Sequence, residues 1–155
     1  MEIRYCKRWS LFYKEAHKYI SEDEACKRHA ERKSYTAIIV ENDVEKYIIN
    51  VAGAWVSVYF LDKYKRNYLY YSFKEVEKNK LFLNESSYWE YDGESEKVLS
   101  TMHFTFLQDG NTIMSEKNEI TGEVVQKEGN FSVEGNWDVY PAFARYNSLC
   151  REQRE

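Results

Sequence analysis

From Tyr35 onward, hydrophobic and polar positions alternate in short runs separated by turn residues, the pattern of half-buried strands. Thr36 to Val40 and Lys46 to Val51 flank Glu41-Asn42-Asp43, a hairpin loop by composition. Trp55 to Leu61 and Asn67 to Phe73 flank the polar turn Asp62 to Arg66. Lys80 to Tyr91 follows and ends on Asp92-Gly93. Val98 to Leu107 and Thr112 to Glu119 surround Asp109-Gly110, a hairpin signature because both turn residues tolerate positive φ. Thr121-Gly122 turns the chain into Glu123 to Glu128, and Gly129-Asn130 precedes Phe131 to Val133. The glycines Gly93, Gly110, Gly122, Gly129 and Gly135 punctuate this half at short intervals, as in a meander.

The N-terminal part reads differently. Over Arg8 to Glu15, Trp9, Leu11 and Tyr13 alternate like a strand, although Trp9, Phe12, Tyr13 and Ala16 also fit a helical face; strand is preferred because the next segment is the better helix. Ser21-Glu22-Asp23-Glu24 is a capping box, with acids in the first turn and Lys27, Arg28, Arg32 and Lys33 toward the other end. It predicts a helix from Glu22 to Lys33 with a thin face of Ala25, Cys26, His29 and Ala30. At the end, Trp137, Tyr140, Phe143, Tyr146 and Leu149 recur every three residues, which predicts a short helical or 3₁₀ segment after Pro141, before a frayed tail from Arg151.

The predicted fold class is therefore α+β. An N-terminal strand and helix precede a curved antiparallel meander of about seven strands, and a short C-terminal helical segment closes over the sheet. A lipocalin-like closed barrel is the second choice. With no Pro/Gly/Ser linker and no internal repeat, residues 1–155 form one domain.

Composition sharpens this picture at one point. The 14 Tyr, 8 Phe and 4 Trp make 17% of the chain, which favours sheet and also interfaces, because Tyr and Trp join a large apolar area to a polar tip. The net charge of −4 argues mildly against a nucleic-acid or anionic-membrane partner. No apolar stretch is long enough for a membrane span, the first residues hold no signal-peptide core, and Cys6, Cys26 and Cys150 form no disulfide framework, so a cytoplasmic protein is expected.

Candidate chemistry is sparse. Cys26-x-x-His29 places two ligand types one helical turn apart, with Cys6 and His17 upstream, but the second pair of a zinc site is missing, and packing of the helix on the sheet accounts for both. No nucleophile motif or glycine-rich phosphate loop is present, so no catalytic residue, metal site or cofactor is predicted. Lys63 to Arg66 followed by Tyr68, Tyr70 and Tyr71 interleaves basic and aromatic residues as single-strand binders do, a small footprint in an acidic chain. The acids Glu85, Glu90, Asp92, Glu94 and Glu96 surround Trp89 and Tyr91. The commonest meaning of such a run is a solvated strand end. The second is a partner-binding patch of Trp89, Glu90, Tyr91, Asp92, Glu94 and Glu96, with aromatic anchors ringed by acids. The third is a carboxylate pair beside a sugar cleft.

Thr36 to Val40, Val58 to Asp62 with Tyr68 to Phe73, Lys80 to Glu85 with Tyr88 to Gly93, and Asn136 to Pro141 together carry a resemblance. In size, aromatic hairpins, acidity and an N-terminal helix, the chain resembles small bacterial immunity proteins of polymorphic-toxin and contact-dependent inhibition systems. That resemblance implies a cytosolic, non-enzymatic protein that binds and blocks a cognate toxin domain, often a nuclease.

Overall fold

The computed structural model describes residues 1–154, and in them the chain forms one antiparallel sheet of eleven strands. In chain order these are β1 (Glu2–Ser10), β2 (Glu15–Ile20), β3 (Tyr35–Glu41), β4 (Val44–Ala52), β5 (Trp55–Leu61), β6 (Asn67–Glu77), β7 (Lys80–Tyr91), β8 (Val98–Phe106), β9 (Asn111–Asn118), β10 (Val124–Asn130) and β11 (Trp137–Val139). Helix α1 (Glu22–Ala30) joins β2 to β3. The spatial order is β10-β9-β8-β7-β6-β5-β4-β3-β1-β2, and β11 pairs with the start of β7.

The expected α+β class is overturned: strands hold 57% of the chain and helices 10%. An α+β fold needs a helical layer, and α1 is too small to make one. Its N-cap forms as the capping box predicts, with the Ser21 hydroxyl accepting from the Glu24 amide at 3.1 Å. The helix then ends at Ala30, and it fully buries only Ala25. The C-terminal helical segment is also absent. Ala144 sits at φ +66°, a left-handed conformation that breaks a helix, and only a single 3₁₀ turn, Asn147–Cys150, follows. The three-residue recurrence there comes from separate anchors on an irregular chain. Tyr140 donates to the Gly53 carbonyl at 2.8 Å, the Tyr146 and Tyr35 hydroxyls lie 2.9 Å apart, and Leu149 is buried.

The N-terminal region holds two strands where the alternation over Arg8 to Glu15 predicts one. A turn at Leu11 to Lys14 splits them, with the Ser10 carbonyl accepting from the Lys14 amide and Lys14 at φ +56°. Phe12 and Tyr13 therefore point into solvent.

Every hairpin from β3 to β10 follows the last without a crossover. Register shifts at Ile39/Val40, Phe60/Leu61, Ser72/Phe73, Glu75/Glu77 and Glu90/Tyr91 bend the sheet, as bulges do. It remains open, because β2 and β10 each pair on one side only. The closed barrel is thereby excluded as well.

The core lies on one face of β3 to β7, where Ile39, Ile49, Val58, Phe60, Tyr71 and Phe73 pack with Tyr146 and Leu149 of the C-terminal segment. A smaller cluster of Cys6, Ile38, Val40, Ile48 and Leu61 covers the other face. Residues 151–154, expected to fray, are held. Tyr68 and Tyr71 give their hydroxyls to Glu152, and Arg154 is 8% exposed. At the opposite end, β8, β9 and β10 leave the core as a wing. Every residue of β8 is half-buried, and six of the seven in β10 are exposed.

Candidate binding surface

The sequence-predicted patch lies at the turn from β7 into β8, and chain segments distant in sequence tie half of it down. Arg66, only 9% exposed, pairs with Asp62 at 2.9 Å and donates to the carbonyls of Gly93 and Ser95 at 2.8 and 2.7 Å. Its guanidinium also lies over the rings of Tyr91 and Tyr64. Tyr64 donates to Glu94 at 2.6 Å, and Lys14 pairs with Glu96 at 2.6 Å. Glu90 accepts from Ser100 at 3.2 Å. The half-buried Tyr91 gives its hydroxyl to the Asn67 carbonyl, and burial raises its pKa. Trp89 is half-buried, and the Asp92 side chain is exposed. Of six predicted contact residues, then, Glu94, Glu96 and Tyr91 fasten loops together. Trp89, Glu90 and Asp92 stay accessible at the rim.

Tyr88 faces the other way, since side chains alternate along a strand. Register pairs Tyr88 with Met102 and Ser86 with Phe104 on that second face. Tyr88 meets Phe104 edge-on with centroids 5.9 Å apart, and Phe104 stacks parallel on Phe106 at 5.9 Å. Phe131 closes the row: its ring lies over Gly129 so tightly that a Cβ there would meet it at 2.7 Å. The rings line an apolar cleft of about 290 Å³, and Ser86, Tyr88, Phe106 and Ser132 also border a more polar cleft of about 510 Å³ reaching Glu152 and Arg154. Phe131 is 65% exposed and Tyr88 40%, so water covers this face. Exposed aromatic side chains such as Tyr88 and Phe131 are enriched at interfaces.

Sequence reasoning places Tyr88, Phe104 and Phe106 in strands but outside the candidate patch, and no local signal marks them, because which face of a strand stays open is set by segments distant in the chain.

The remaining candidates are engaged elsewhere. His29 does not face Cys26: its Nδ1 lies 2.8 Å from the Tyr35 hydroxyl, and Cys26 is exposed. Cys26 and Ala30 thus do not pack on the sheet as the helical face predicted. Among the described residues no group of three or more His, Cys, Asp or Glu could hold a metal ion. In the basic–aromatic stretch, Lys65 pairs with Glu45 at 3.1 Å, Arg66 is turned inward, and Tyr70 packs on Tyr59. No helix among these residues is long and apolar enough to cross a membrane. Comparison with protein-family models, curated proteins and solved structures finds no match to this chain.

Proposed function

We propose that this is a protein-binding protein whose partner covers the aromatic face of the wing, and that it acts in the cytoplasm as an immunity protein, neutralising a cognate toxin domain without catalysis of its own. The observation that carries the binding role is the row of Tyr88, Phe104, Phe106 and Phe131 beside the core, with Tyr88 and Phe131 exposed and Phe104 and Phe106 half-buried. Aromatic residues in such a setting act as interface anchors. The resemblance to immunity proteins supplies the kind of partner, and a net charge of −4 suits a basic one through electrostatic steering.

Co-expression with the product of the neighbouring gene tests both parts. A one-to-one complex and rescue of cells that express that product are expected, and the Phe104→Ala, Phe106→Ala double variant should lose both. A wild-type chain that neither binds nor rescues would overturn the reading.

A further inference from the structure

An open sheet ends in two free edges, and here they are built differently. At β2, Lys18 stands at φ +58°, and pairing with β1 skips from Cys6↔Tyr19 to Arg8↔His17. Such an interruption spoils an edge as a template for another strand. At β10 nothing comparable occurs. Seven consecutive pairs run from Val124↔Lys117 to Asn130↔Asn111 without a register shift, and the strand holds no proline and no residue with positive φ.

The direction of the free groups follows from the flanking bonds. The Phe131 amide donates to the Gly110 carbonyl at 3.0 Å, and the Glu123 carbonyl accepts from the Asn118 amide at 2.9 Å. Both residues are odd-numbered, so the odd positions of β10 face β9. The alternation of an antiparallel ladder then directs the N–H and C=O of Gln126 and Glu128 off the sheet. Both residues are exposed.

Charge selects the occupant. Residues 98–130 carry five carboxylates, Asp109, Glu116, Glu119, Glu123 and Glu128, against Lys117 and Lys127, a net of −3 in a chain of −4. Two copies joined edge to edge would oppose these wings, and like charge disfavours that. Val124 and Val125 in the strand and Phe131 just after it offer exposed apolar area.

We propose that β10 receives an extended segment of the partner protein as a twelfth strand, one in which apolar residues alternate with lysine or arginine. The proposal rests on the protein-binding reading above and names its partner's contact element. Main-chain bonds would supply affinity, and the alternating side chains specificity.

Hydrogen exchange read by NMR, with a seven-residue lysine–valine peptide as probe, tests it. At about ten times the peptide's Kd, exchange at the Gln126 and Glu128 amides should slow about tenfold, and a glutamate–valine peptide should have no effect. Gln126→Pro removes a donor that β9 does not use and should abolish the protection. The Glu123→Lys, Glu128→Lys double variant, which keeps the backbone intact, should exchange the two peptides' roles. Unchanged exchange at millimolar peptide, equal protection by both peptides, or protection that grows with protein concentration alone would overturn the proposal. A complex with the neighbouring gene's product that survives Gln126→Pro but is lost in Phe104→Ala, Phe106→Ala overturns strand addition and leaves the binding role standing. Absence of any complex with the wild-type chain overturns the binding role itself.

Discussion

The guanidinium of Arg66 lies 4.6 Å from the centre of the Tyr91 ring, and this contact joins the β5–β6 turn to the β7–β8 turn. The same group serves the Asp62 carboxylate and two carbonyls while 9% exposed. Truncating it removes the cation from the Asp62 carboxylate, which keeps the Tyr64 and Arg66 amides, and the donor from both carbonyls. Arg66→Ala should therefore cost about 3 kcal/mol in urea unfolding. Arg66→Lys should recover only part of that, because an ammonium lacks the planar fork that reaches all three acceptors.

The acidic turn and the aromatic face make opposite predictions for binding. Glu94 and Glu96 already have intramolecular partners in Tyr64 and Lys14. Glu94→Gln with Glu96→Gln should change the partner's Kd by no more than about threefold, in line with rim charges. Phe106→Ala should weaken it by about 2 kcal/mol, roughly thirtyfold, as loss of an aromatic anchor does. Calorimetric titration with the co-expressed partner separates the two surfaces, and the reverse ranking would return the contact to the acidic turn.

How much of this was legible in the sequence depends on whether the cause was local. The bounds of β5 and β7 follow from alternation between polar turns, and Ser21 announces the start of α1. The split between β1 and β2 was hidden because Trp9, Leu11 and Tyr13 alternate straight through the turn. The C-terminal aromatics imitate a helix because each one reaches a different strand, and nothing in the sequence marks Ala144 as left-handed. The site failed for a related reason. Trp89 and Tyr88 are neighbours in sequence but lie on opposite faces, and only the fold shows which face stays uncovered. Arg66 and Lys14 come to the acidic turn from 27 or more residues away in the chain, as with the Arg66 bond to Gly93.

His29 gives the fold a pH dependence. Burial, and then the nearby charge of Arg32, hold its imidazole below the ordinary 6.5, against the opposing pull of its bond to the Pro141 carbonyl. Between that lowered value and 6.5 the unfolded chain binds more protons than the folded one. The stability contributed by neutral His29 is thus present above about pH 6.5 and is lost as pH falls through the folded value. Urea unfolding between pH 7 and pH 5 should show a steeper loss for the wild type than for His29→Gln. Equal slopes would mean that another group titrates in this range.

The three thiols should separate by burial. Burial pushes Cys6 up to about 11 and Cys150 up to about 12, and Cys26 is exposed on α1. Thiolate is the reactive form, so an aromatic disulfide reagent at neutral pH should modify one thiol in the native protein. All three should react in denaturant. Cys26→Ser should bring the native count to zero, a result that also shows whether β2 peels from β1 transiently around Cys6.

Arg154 and Asp138 form the most deeply buried ion pair of the fold among the described residues, 2.6 Å apart with side chains 4% and 5% exposed. The guanidinium also donates to the carbonyls of Gly135 and Ser148 and lies over the Phe73 ring. This pair pins the chain end across β11 and the aromatic core. Arg154→Ala leaves the Asp138 carboxylate buried with Arg151, 3.9 Å away, as its one cation, beside the Ser148 hydroxyl and the Val139 amide. It should cost about 3 to 5 kcal/mol, the range for breaking a buried pair by removing one member. Asp138→Asn on the same background should restore part of the loss, because it removes the uncompensated charge while keeping an acceptor for Ser148. A double-mutant cycle by urea unfolding measures the coupling. If Arg154→Ala proves silent, the tail is not fastened by this pair, and the wall it gives to the polar cleft beside Tyr88 would have to be held by Glu152 through Tyr68 and Tyr71.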